Sequence, residues 1–307
     1  MRSFLVSNLT TNLIGILGLK KFFTSNLMNN NRGKLNKKNI LGCNLTNSSI
    51  GECKMRKILG SVFIMFLLGM MLMSMNVFAV VIQISTIEDL QKIGNDAAYP
   101  LNGEYELTQD INASATLNWN NGVGFKPIGT SDVPFVGKID GKEHKITGLY
   151  ISRSAEDYVG LFGYIGSGGE VKNLGLENCW VIGNENVGSL VGYNDGGSIL
   201  SSCSTGAVSG VVGVGGLVGE NGGSILSSCS TGAVSGYWDV GGLVGFNWGS
   251  ITSSYSTGAV SGSSEVGGLV GYSYYGNITS SYSTGAVSGS SRVGGLVGFN
   301  WGSITSS

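Results

Sequence analysis

Few residues of this chain are placed to do chemistry. His144 is the single histidine among 307 residues, so a histidine-dependent triad is excluded everywhere else in the sequence. It lies in Gly141-Lys-Glu-His-Lys145, a turn into a strand, without the convergent partners that metal binding or proton transfer needs, and reads as a surface residue. Acidic residues deserve a closer look: Asp239 and Glu265 each stand four residues before a recurring leucine, with Arg292 at the same place one copy later. On neighbouring coils the two carboxylates would lie roughly 5 Å apart, a separation that suits a retaining glycosidase or a calcium site. The preceding copy has Gly213 there, no other acid is brought close, and Arg292 is a counter-charge to Glu265. A solvated ladder is the expected reading, with no catalytic residue, metal site or cofactor assigned.

Binding chemistry is better represented. The loop after each Gly-Leu-Val-Gly is rich in aromatics, and stacked copies would align Trp248, Tyr274, Tyr275 and Trp301 along one edge. Such a stripe offers rings to an extracellular glycan or a protein partner; the plainer alternative is that the rings stack on one another and shield a corner. Asn194, Asn221, Asn247 and Asn300 share one register and suit a turn ladder bonding the backbone. Cys203 and Cys229 also share a register, close enough for a disulfide, which export would permit. Parity with the inward isoleucines favours instead a buried, unbridged pair. Cys179 has no obvious partner, and no C-x-x-C spacing of the metal-binding kind occurs.

The elements that hold these residues are repeats. Leu190, Leu217, Leu243, Leu269 and Leu296, each central to a Gly-(Gly/Ser)-Leu-Val-Gly phrase, are spaced 27, 26, 26 and 27 residues apart, the signature of a stacked array. One copy divides into three strand candidates, around Leu243-Val244, Ile251 to Tyr255 and Ala259-Val260. Together they make one coil of a right-handed parallel β-helix with about 26-residue coils. The leucines, Ile199/Ile225/Ile251/Ile278/Ile304 and Val208/Val234/Val260/Val287 form the expected core columns. Both 27-residue intervals come from one extra residue in the same loop, at Asp195 and Tyr275, which must therefore project outward. Upstream, Ser85 to Gly94 reads as one short helix, capped by Ser85 or Thr86 and stopped by Gly94.

Charge and hydropathy divide the chain further. Ten of the eighteen Lys and Arg residues but only one of the nineteen acids precede Ile58, which leaves a body near −10 that disfavours nucleic acid. Residues 58–82 are almost wholly apolar after Lys54, Arg56 and Lys57, and predict a Sec-type export signal cleaved after Ala79. Left uncleaved, the run would be a membrane anchor, the chain's single link to a bilayer. The expected divisions are 1–54, a disordered over-extension of the reading frame; 55–79, the signal helix; 80–158, a lead-in that caps the solenoid; and 159–307, the repeats. These stop in mid-coil, as a truncated reading frame would.

The Gly-Leu-x-Gly core with its downstream Ser-Tyr/Cys-Ser-Thr-Gly-x-Val resembles the GLUG motif of bacterial secreted and surface proteins, including a region of immunoglobulin A metallopeptidases. The resemblance runs from Ile84 to Ser307; Leu107-Thr-Gln-Asp-Ile111, Pro127-Ile-Gly129 and Val159-Gly-Leu-Phe-Gly163 are similar to the segment that commonly precedes such repeats. It implies a β-solenoid on an exported, adhesion-like protein and no activity, because the H-E-x-x-H motif of the peptidases is absent. The sequence thus leads to a non-enzymatic secreted or surface scaffold for adhesion or binding. The alternatives are a carbohydrate-active β-helix using Asp239 and Glu265, or a spacer within a larger extracellular protein.

Overall fold

In the computed structural model the described residues are 80–307. The expected extension 1–54, the signal at 55–79, and Cys43 and Cys53 lie outside them. Val81 and Ile82, at the end of the apolar run, open the first strand, Val81–Ile84.

Short strands stack in parallel register into five sheets of five to nine strands each, and the chain is a parallel β-solenoid. A full coil carries five strands: Trp238–Gly241, Val244–Asn247, Ser250–Thr252, Tyr255–Ser256 and Val260–Ser261. We call the sheets they belong to faces 1 to 5. The sequence suggests three strands per coil, and both additions have a physical origin. Ser253, at φ +49°, turns a sharp corner and divides Ile251 to Tyr255 between faces 3 and 4. Face 1 reads as loop because Asp239, at φ +53°, interrupts its alternation.

Burial drives the stacking, since one coil cannot enclose its own apolar side chains. Leu190, Leu217, Leu243 and Leu269 are fully buried, as are Ile199, Ile251 and Ile278, and Val208, Val234 and Val260 are nearly so. Each such side chain contributes about 1.5–3 kcal/mol. A further column, Val187, Val214, Val240 and Val266, comes from face 1. In the last coil Ile304 is exposed and Leu296 only partly buried.

Polar groups at the corners form ladders of their own. The hydroxyls of Ser228, Ser254 and Ser281 each accept the backbone N–H of the matching serine one coil earlier, at 3.1–3.2 Å. Each also donates to a carbonyl two residues back in its own chain, so the tight corner between faces 3 and 4 leaves these buried groups satisfied. The inserted residues at Asp195 and Tyr275 leave the flanking registers intact: Asn194 still pairs with Asn221 and Ser198 with Ser224. The loop between faces 2 and 3 absorbs them.

The stack begins before the repeats. Val81–Ile84, Glu104–Leu107 and Lys138–Asp140 are successive strands of face 3. Between the first two lies the helix α1, Ile87–Lys92, which buries Ile87 and Leu90. Thr86 caps it by accepting the N–H of Asp89 at 3.1 Å, and Gly94 follows at φ +77°.

Candidate functional site

The carboxylates sit in a column of unusual backbone. Asn186, Gly213, Asp239, Glu265 and Arg292 occupy the second position of successive face 1 strands, and all five have φ between +49° and +65°. This region is costly for residues other than glycine. The first four are each backed by the last glycine of the Gly-Leu-Val-Gly phrase in the next coil: a Cβ on Gly271 would lie 2.4 Å from the backbone of Asp239 and Val240. The phrase thus lets face 2 of one coil press against face 1 of the coil before.

Glu265 is buried and ion-paired with Arg292, whose guanidinium stands 4.8 Å over the ring of Phe299. Asp239 is its neighbour in register and pairs with no cation of its own among the described residues. Burial, the charges of Glu265 and Glu220, and weak compensation from Arg292 leave its carboxyl pushed up to about 6. Burial likewise raises Glu220, against hydrogen bonds from Trp248 and Asn186. Glu220 has no counterpart acid in the other repeats to signal it in the sequence, and it interrupts an otherwise aromatic column: Tyr193, Glu220, Phe246, Tyr272 and Phe299 are in register on face 2. Among the described residues no cluster of three or more His, Cys, Asp or Glu side chains is placed to hold a metal.

The aromatic edge divides in two. Tyr274 lies 4.4 Å from Tyr275 and 5.9 Å from Trp301, ring centre to ring centre. Behind them Phe246, Tyr272 and Phe299 meet edge-on at 5.1 Å spacings. Tyr275 and Trp301 are 68% and 58% exposed, so mutual stacking leaves much of their surface open to a ligand. Trp248 turns the other way, over Gly222 of the preceding coil, where a Cβ would fall 2.3 Å from the indole. Further up the face Tyr164 and Tyr193 pack edge-on at 4.8 Å.

The remaining sequence candidates take structural places. Asn194, Asn221 and Asn247 are fully buried; their amides bond one another at 2.8–2.9 Å and also donate to Gly197, Gly223 and Gly249 carbonyls. Ser273 takes the next rung, and Asn300 lies exposed beyond it. Cys203 and Cys229 are joined as a disulfide, with Cα atoms 4.5 Å apart. Parity with the isoleucines fails here, because the left-handed Ser201 and Ser227 reverse the alternation. The cysteine column therefore lies on the side away from the core, with Cys203 half-buried and Cys229 covered all the same, and Ser204 and Ser230 point in. The same column continues as Tyr255 and Tyr282, stacked at 5.2 Å and nearly parallel. Cys179 is a buried free thiol whose pKa burial pushes up. His144 sits with Nδ1 3.2 Å from Asp110, which also accepts the Lys145 N–H, and among the described residues no further side chain bonds it.

Two consecutive coils, residues 236–261 and 262–288, match the GLUG motif. The chain is a β-solenoid that carries the GLUG motif in these two coils. Over 142 residues, 45% of the chain, it is 42% identical to halomucin of Haloquadratum walsbyi, and over 95 residues 40% identical to a protein of Evansella cellulosilytica described as a Gly-rich membrane protein. The chain spans only 2% and 11% of the lengths of these relatives. The solved structure of a protein from Bacteroides ovatus, described as an immunoglobulin A1 protease, superposes with a TM-score of 0.58 over 73% of each chain at 24% identity. At that identity the likeness establishes a common fold.

Proposed function

We propose that this GLUG solenoid is a non-enzymatic scaffold of the cell surface or extracellular space, and that it binds glycans through the aromatic corner between faces 2 and 3. Surface location is supported by the relatives, one named as a mucin and one described as a membrane protein. The observation that carries the binding role is the exposure of Tyr275 and Trp301 on a ring-packed, rigid base, the apolar platform on which sugar faces stack. The full chain on a glycan array is expected to retain specific sugars and to lose at least tenfold in affinity in the Trp248→Ala/Trp301→Ala variant. Unchanged retention by a folded double variant would refute the reading.

A second reading, a carbohydrate-active enzyme, draws on Asp239, whose carboxyl is pushed up to about 6 beside the Glu265–Arg292 pair. A raised acid beside a second carboxylate is the pairing that glycoside cleavage uses. Reducing-sugar release from a polysaccharide panel, abolished in Asp239→Ala, is the outcome that would favour it over the scaffold.

A further inference from the structure

A cleft lies at the N-terminal end of the solenoid, away from the repeats. It has a volume of about 620 Å³ and opens between α1 with its following turn and the loop that carries Trp119 and Lys126. That size falls within the roughly 300–1,000 Å³ of small-molecule sites. We propose that this cleft is a binding site for a neutral saccharide, with Trp119 as its stacking platform.

Three features carry the assignment. The first is preformation. Gln91 clamps the far wall with both ends of its amide, donating to the Lys126 carbonyl at 3.0 Å and accepting the Lys126 N–H at 2.9 Å. The Lys126 ammonium bonds Asn95 across the cleft at 3.1 Å, and the Asn120 amide fastens its own loop through the Gly124 carbonyl at 2.8 Å. Walls thus tied lose little freedom when a ligand enters.

The second is the platform. Trp119 is half-buried and stacks on the core residue Phe125, with ring centres 6.3 Å apart and planes within 24°. One indole face is thereby fixed while the ring still lines the cleft. The loop holds it at a conformational cost, since Asn120 and Asn121 both adopt positive φ, +51° and +60°. Two adjacent non-glycine residues in that region are strain of the sort found at ligand clamps.

The third is charge. Two acids, Glu88 and Asp96, and two bases, Lys92 and Lys126, line the cleft, and Lys92 is engaged by Asp89 at 2.8 Å and stands 5.3 Å over Tyr99. Neither an anion nor a cation gains from a wall carrying both signs. A ring of hydroxyls does, because it can donate to carboxylates and accept from ammonium groups while its C–H face covers the indole.

The test is titration of the full chain with N-acetylglucosamine, galactose and cellobiose, with glucuronate and glucosamine as charged controls, followed by saturation-transfer NMR and tryptophan fluorescence. At least one neutral sugar is expected to bind. Affinity should fall at least tenfold in Trp119→Ala and several-fold in Lys126→Met and Glu88→Gln, two exposed positions whose variants should keep the parent's circular-dichroism spectrum. Trp248→Ala/Trp301→Ala should leave it unchanged, which separates this site from the aromatic corner. Absence of neutral-sugar binding, preference for a charged control, or full affinity in the two exposed-position variants would overturn the proposal.

Discussion

Asp239 is the residue at which the structure makes the clearest demand on pH. Its carboxyl titrates near 6 in the folded chain against a reference of 3.8, so the folded state holds the proton more tightly than the unfolded one. Its contribution is fully present below pH 3.8 and is lost as the pH climbs through 6. The window of about two units corresponds to at most about 3 kcal/mol at roughly 1.4 kcal/mol per unit, and to less once water screens a partly exposed group. Asp239→Asn is therefore expected to raise the melting temperature at pH 7.5 and to change it little at pH 3.5. Parallel thermal melts at the two values check this, and a variant destabilised at pH 7.5 would contradict it. The positive φ of Asp239 belongs to the same account, since asparagine tolerates that backbone as well as aspartate does.

At the scale of the element, the buried asparagine ladder shows what a corner requires. Asn221 donates to Asn247 and accepts from Asn194, so Asn247→Ala strands a buried amide and should cost about 1–3 kcal/mol. Ser273 is too short for the next rung, and its buried hydroxyl finds no partner. Ser273→Asn is expected to stabilise the chain by up to about 1 kcal/mol; urea denaturation of both variants measures the pair of effects with opposite signs. The ladder was legible in the sequence because identical residues recur at one interval. So were the Leu, Ile and Val columns and the outward loop at Asp195 and Tyr275. The faces were less so: Ser201, Ser227 and Ser253 reverse alternation by adopting a left-handed backbone, and serine carries no advance signal of that choice. The direction of Trp248 depends on the missing side chain at Gly222, a relation between coils that a single repeat does not contain. The cleft at Trp119 was invisible for a similar reason, since its walls meet from segments 35 residues apart with no repeat to align them.

Residues 80–307 form a one-dimensional array in which each coil touches its neighbours above and below. Insertion of a second copy of residues 236–261 after Ser261 should therefore extend every face by one strand without disturbing register. The enlarged protein should unfold with a steeper dependence on urea, because the exposed surface grows with the number of coils, and with a melting temperature no lower than the parent's. An insert of 20 residues from the same stretch breaks the columns and should lower it.

All five faces are parallel and hydrogen-bonded from coil to coil, and this alignment has a mechanical consequence. A load pulling the two ends of the stack apart falls on those bonds in series, so the solenoid should yield by peeling, one coil at a time. Each 26-residue coil releases about 90 Å of contour length. The disulfide between Cys203 and Cys229 closes one coil into a loop that force cannot open. Single-molecule extension should accordingly gain one coil's length when reductant is added, which would make this bridge a redox-set stop on how far the protein can stretch.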